Sequence, residues 1–258
     1  MNRIALLAAT ALTMFALSAT AVAHPATPPG RLVELAVIDR DSGAILPVHH
    51  SAGQSYVEGQ PGRRYAVRLV NRTGARVLAV LSVDGINAVS GQTADPDQAG
   101  YVLGPYQSTD VTGWRKSLGE VAAFEFAALA DSYAARTGRP DHVGVIGIAV
   151  FQERLPVPPP AIAMDGTRSK ERLQPMERAG AAPAPAAPMA QSIGTAHGPR
   201  EASQVSQTRF DRASRHPAEI VPLRYDRREN LVALGVIAPH PMRPRHPRPF
   251  PGGFVPDP

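Results

Sequence analysis

The sequence predicts an all-β fold, an antiparallel β-sandwich with one short helix, a long Pro/Ala-rich linker and a C-terminal hairpin that docks back. Three observations carry this. Residues 65–91, YAVRLVNRTGARVLAVLSVDGINAVSG, hold two apolar runs around a polar turn. Short apolar runs broken by Gly and Pro recur from Leu32 to Phe151. Helical periodicity is scarce, and short strands separated by turn residues point to a sandwich or barrel.

Each element follows from its own residues. Leu32 to Ile38 alternates around Val33, Leu35 and Val37, and reads as a first strand ended by the turn residues of 39–43. Residues 45–50 form a weaker strand, which Pro47 places at an edge. Tyr65, Val67 and Leu69 share one face of the next strand. Asn71 to Gly74 reads as a hairpin turn into a central strand. There Val77, Ala79, Leu81 and Val83 share one face and Leu78 and Val80 the other, so both sides are expected to be buried. Asp84-Gly85 is a turn signal. Tyr101 to Leu103 and Gln107 to Val111 are further short strands, the second leading to Gly113-Trp114-Arg115. Residues 121–129 read as strand because Phe124 and Phe126 alternate with Glu125, although their alanines favour helix. Asp131 is placed as the N-cap of a short helix through Arg136, with Gly138 as its C′ residue. Val143 to Phe151 is a second strand apolar on both faces.

The chain divides by composition. Residues 1–23 read as a signal peptide: Arg3 is basic, 4–17 are apolar but too short to span a bilayer, and Ala21-Val22-Ala23 is a small-x-small site. Cleavage is expected between Ala23 and His24, with export to the periplasm or medium. No later stretch is long enough for a transmembrane span. Residues 31–153 are the β-sandwich domain. Residues 154–192 are the linker, expected to be disordered, and 239–258 a disordered Pro/Arg/His tail: 19 of the 27 prolines lie from Pro156 onward. Between them, 193–238 hold a hairpin, 218–225 with 231–237, too apolar for a solvated tail and too small to stand alone.

The net charge of +5 is unevenly spread. Residues 31–153 carry 11 Lys/Arg against 13 Asp/Glu, whereas 154–258 carry 15 against 9. The basic C-terminal region suits weak interaction with anionic surfaces, but composition drift toward Arg, Pro and Ala is the favoured reading of it. No cysteine is present, which removes disulfides, thiol catalysis and thiolate metal sites and leaves stability to the hydrophobic core.

The segments VDGINAVSG (83–91), GYVL (100–103), GWRKS (113–117), SYAARTGRP (132–140) and GVIGIAVFQE (144–153) resemble a family of uncharacterised secreted proteins of proteobacteria. IGTAHG (193–198) and LRYDRRENLVALGVI (223–237) look like its C-terminal signature. The resemblance covers 31–153 and 193–238. It implies that the second block belongs to the same folded protein, and brings no activity, cofactor or catalytic residue.

Candidate chemistry is sparse. His49-His50 point to opposite sides of a strand and do not share a metal. Asp39-x-Asp41 and Asp95-x-Asp97 lack the Gly and distant Glu of a twelve-residue calcium loop and read as turn carboxylates. His24, at the new N-terminus, would need a second histidine positioned by the fold to make a copper site, and Pro25 with its leader disfavours that. His240 and His246 are isolated tail residues. No GxSxG elbow is present, and His142 and His197 have no serine partner in sequence. Asp84 and Asp110 are the carboxylates to inspect for glycoside hydrolysis. No catalytic residue, metal site or cofactor is expected. The remaining constellation is Trp114-Arg115-Lys116, the only tryptophan beside two cations. Exposed, it could stack on a sugar or hold an anion; buried, it is a core anchor. The expected function is a secreted, noncatalytic binding or structural module, with a carbohydrate-active enzyme on the same scaffold as the alternative.

Overall fold

The computed structural model describes residues 30–155 and 192–239. The expected signal peptide with its cleavage site, nearly all of the linker and nearly all of the C-terminal tail lie outside these residues. The described chain is all-β. Its strands are β1 (Val33–Asp39), β2 (Val48–Ser51), β3 (Gln54–Glu58), β4 (Arg64–Asn71), β5 (Val77–Val83), β6 (Ile86–Asn87), β7 (Tyr101–Leu103), β8 (Ser108–Val111), β9 (Gly113–Arg115) and β10 (Glu120–Ala128). They are followed by a helical turn, α1 (Tyr133–Arg136), and by β11 (Val145–Gln152), β12 (Ile193–Ala202), β13 (Glu219–Asp226) and α2 (Arg228–Ala233).

The strands form two sheets. The first runs β1-β4-β10-β12, with β8 added to β4 and β9 to β10. The second runs β2-β3-β13-β11-β5-β6, with β7 added to β5. Every pairing is antiparallel except β3 with β13. The alternation of side chains along each strand explains the core. Leu35, Val37, Val67 and Leu69 from the first sheet join Ala79, Leu81, Ile146 and Ile148 from the second in one buried cluster. β5 is also covered on its other side. Leu78, Val80, Ala149 and Phe151 form a second cluster under Val102 and Phe210, and the Arg212 guanidinium lies 4.0 Å from the centre of the Phe151 ring. The two-sided apolar pattern of β5 therefore has a structural counterpart on each face.

Several expectations are corrected. Residues 71–76 do not close a hairpin: β4 belongs to the first sheet and β5 to the second. The Asn71 side chain instead bonds the carbonyls of Ala75 and Gly104 and accepts from Thr73 N, holding a crossing between sheets. The true tight hairpin is one step later. Asp84 (φ 52°) and Gly85 (φ 72°) are both left-handed, and Val83 pairs with Ile86. This is the primed two-residue turn that Asp-Gly favours. The N-cap of α1 is Ser132, whose hydroxyl accepts from Ala135 N at 3.1 Å, while Asp131 sits in the preceding 3-10 turn. Gly138 follows as expected, with φ 72° and its N–H on Ala135 O.

The C-terminal block does not form a hairpin either. Its first arm is β13, but 228–233 form α2, and buried Leu231 turns inward from it. Helix wins here because the local sequence RENLVA is rich in helix formers and no strand lies beside it to pair with. β13 inserts between β3 and β11, and β12, which has no strand signal in the sequence, pairs with β10 along residues 193–202. The block thus gives one strand to each sheet. β3 is a further strand without a clear sequence signal.

Leu81 is fully buried in the main cluster. Leu81→Ala is expected to cost about 2–5 kcal/mol, the range for emptying a buried leucine site. Denaturant unfolding checks this; an unchanged midpoint at unchanged slope would remove β5 from the centre of the fold.

Candidate functional site

Two polar constellations stand out, one buried and one open. The buried one centres on Asp84, which is 1% exposed. Its carboxylate accepts from Thr195 N (2.7 Å), Gly144 N (2.9 Å) and the Tyr225 hydroxyl (2.5 Å). Tyr225 has one hydroxyl hydrogen and gives it to Asp84. The Thr195 hydroxyl, 2.8 Å away, therefore donates to Tyr225, and the Tyr65 hydroxyl, 2.6 Å from Thr195, donates to Thr195. Three hydroxyls point in sequence toward one carboxylate. Burial pushes Asp84 up to about 6, against the hydrogen bonds from Tyr225, Thr195 and Gly144 that pull the other way. Burial and the Asp84 charge hold Tyr65 and Tyr225 well above the ordinary tyrosine value.

Asp84 does not act with Asp110. Asp110 lies on β8 in the other sheet, where Arg68 binds it through two hydrogen bonds of 2.7 Å. One carboxylate is sealed in the core and the other is a surface ion pair, so they share no cleft. The remaining acidic motifs are turns: Asp39 accepts from Asp41 N and Ser42 N, and Asp95 from Asp97 N. Among the described residues no group of three or more His, Asp or Glu is placed to hold a metal ion, and no helix is long and apolar enough to cross a membrane.

The open constellation includes part of the predicted binding triplet. Trp114 is a core anchor, 2% exposed. Its ring meets Phe124 edge-on at 5.1 Å and Tyr133 at 5.2 Å, and its indole N–H donates to Ala196 O. Arg115 is also engaged, donating to the Ser203 carbonyl (2.6 Å) and hydroxyl (3.2 Å). Only Lys116 reaches the surface beside the aromatic residues, its ammonium 5.8 Å from the centre of the Tyr133 ring. The Tyr133 ring in turn lies 5.8 Å from the His197 ring.

Tyr133, Arg136, Thr137 and His197 line a depression of about 310 Å³. α1 supplies its first wall and β12 its second. Thr137 is held at the end of α1 by donating to Tyr133 O at 2.8 Å. Partial desolvation and Arg200 lower the Lys116 pKa; partial desolvation and Lys116 lower that of His197. These cations are disfavoured by one another. Arg136 and His197 were not legible as site residues, because 116, 133–137 and 197 come from three separate elements and meet only through the packing of α1 and β12 around Trp114.

No protein-family model, no curated protein and no solved structure matches the chain.

The raised pKa of Asp84 gives a testable pH dependence. Its folded value of about 6 exceeds the ordinary 3.8. The associated stability is therefore fully present below about pH 4 and is lost as pH rises through 6. Asp84→Asn removes this slope. Between pH 7.5 and pH 4 the parent should gain about 2 kcal/mol relative to the variant, since each unit of pKa shift corresponds to about 1.4 kcal/mol. Denaturant titrations at the two pH values measure it; parallel pH profiles would show that Asp84 titrates as it does in the unfolded chain.

Proposed function

We propose that the protein is an exported, noncatalytic binding module on a β-sandwich scaffold, with the Tyr133–His197 depression as its ligand site. The observation that carries this reading is the lining of that depression. Tyr133 offers part of an aromatic surface and Arg136 and His197 offer donors, while the Thr137 hydroxyl is engaged by Tyr133 O and Arg139. No carboxylate and no nucleophile paired with a base lines it. Such a surface can hold a ligand by ring contact and hydrogen bonds, but lacks the two carboxylates that glycoside hydrolysis generally uses. The buried carboxylate, Asp84, is consumed by structural hydrogen bonds.

Export is supported by the apolar leader and the small-x-small site before His24, and by the resemblance to secreted proteobacterial proteins. The sandwich is supported by two sheets whose side chains join one core cluster. The excess positive charge of residues 154–258 adds a weak, nonspecific attraction to anionic surfaces.

Trp114 is the only tryptophan and packs directly on Tyr133, so its emission reports on the depression. Titration of the protein with envelope and extracellular polysaccharides should give a saturable change in that emission without release of reducing ends. Release of reducing ends at a rate abolished by changing a lining residue would make the protein an enzyme. A flat emission response to every ligand, neutral or charged, would remove the depression as a binding site.

A further inference from the structure

We propose that the depression is an oxyanion site, taking a phosphate or sulfate ester group held by Lys116, Arg136 and His197 at the rim of the Tyr133 ring. This rests on the reading of the depression as the ligand site and names the class of ligand it takes.

The argument is one of uncompensated charge. Elsewhere on the first sheet, clustered cations meet carboxylates. Arg63 and Arg64 lie against Asp39, Asp41 and Glu201, and Arg40 joins Glu201 at 2.5 Å. Around Tyr133 the pattern inverts. Lys116 has the Tyr133 ring as its neighbour, and Arg136 and His197 have no ion pair among the described residues. Arg200 is nearby and reaches only Glu120, at 3.6 Å with both side chains largely exposed. An exposed pair at that distance contributes little and leaves most of the Arg200 field in place. Arg136 and His197 thus line the depression, with Lys116 beside the Tyr133 ring and Arg200 close enough to add to the desolvation that lowers the pKa values of Lys116 and His197.

This arrangement is imposed by the fold. The aromatic contacts run Phe124 to Trp114 to Tyr133 to His197, each at ring separations of 5.1–5.8 Å. This packed row holds Lys116 and His197 beside Tyr133, where, beyond partial desolvation, Arg200 disfavours the cationic form of Lys116 and Lys116 that of His197. An anion offsets this. The available donors are an ammonium, a guanidinium and an imidazole, which together match a tetrahedral oxyanion with several acceptor oxygens. A neutral sugar gains nothing from the like charges, and the ammonium beside the Tyr133 ring already occupies part of the surface on which it would stack.

The test uses the full chain and Trp114 emission at low ionic strength. The probes are inorganic phosphate, inorganic sulfate, a heparin-derived hexasaccharide and the neutral maltohexaose. Phosphate, sulfate or the sulfated hexasaccharide should give a saturable change. Affinity should fall about tenfold or more in Lys116→Ala and in Arg136→Ala, as expected for the loss of a charge-assisted contact. Both positions are exposed and without an ion-pair partner among the described residues, so melting temperatures should stay at the parent value, and this is checked for each variant. The relative strength of phosphate and sulfate assigns the source of the oxyanion. Saturable binding of maltohexaose with no response to any anion overturns the oxyanion assignment and leaves the binding module standing. Anion binding unchanged in both variants also overturns it. No response to any probe overturns the assignment and the ligand site together.

Discussion

The hydrogen bonds that converge on Asp84 hold the two sheets in register with each other. The carboxylate sits on the β5–β6 turn of the second sheet. Its partners are Thr195 on β12 of the first sheet, Tyr225 on β13 and Gly144 at the entry to β11. Tyr65 on β4 extends the chain of hydroxyls back into the first sheet. A buried charge is costly unless its hydrogen-bonding capacity is filled, and a half-filled network is worse than an apolar core. Here every donor comes from a segment far away in sequence. Sliding one sheet along the other would strip those donors from a buried carboxylate. The network therefore penalises alternative registers that the apolar side chains alone would tolerate.

The same network fixes the position of the open site. Tyr225 contacts Phe126, which stacks on Tyr65 at 4.3 Å, and Tyr65 stacks on Phe124. From Phe124 the row continues through Trp114 and Tyr133 to His197. Thr195 and His197 lie two residues apart on β12, so their side chains leave the same face of the strand. One belongs to the buried carboxylate network and the other to the surface depression. The C-terminal block, distant in sequence from the central strands, thereby contributes both the pin between the sheets and a wall of the candidate site.

This placement also explains why the binding triplet of the sequence divides. Consecutive residues on a strand point to opposite sides, so Trp114, Arg115 and Lys116 cannot serve one ligand together. Trp114 enters the core and pairs in register with Ala122. Arg115 turns toward the chain at Ser203. Lys116, just beyond the strand, regains the side of Trp114 and reaches Tyr133. Burying the tryptophan shapes the depression indirectly, since its ring supports that of Tyr133, which lines it.

Local periodicity and backbone preference were enough to read the all-β class, the paired apolar faces of β5 and β11, and the turn at Asp84-Gly85 from the residues alone. They also marked 218–225 as a strand that must find a partner, since its apolar residues have no other outlet. Which strands share a sheet was settled only in three dimensions. Residues 71–76 look like a hairpin because turn residues between apolar runs are common to hairpins and to crossings, and only long-range pairing separates the two. β12 carries Gly, Pro and charged residues without alternation, and is a strand because β10 offers it a ladder. The role of Asp84 arises in the same way. A turn aspartate is ordinary in sequence, and becomes the hub of the molecule only when Tyr65, Thr195 and Tyr225 are folded onto it and water is excluded.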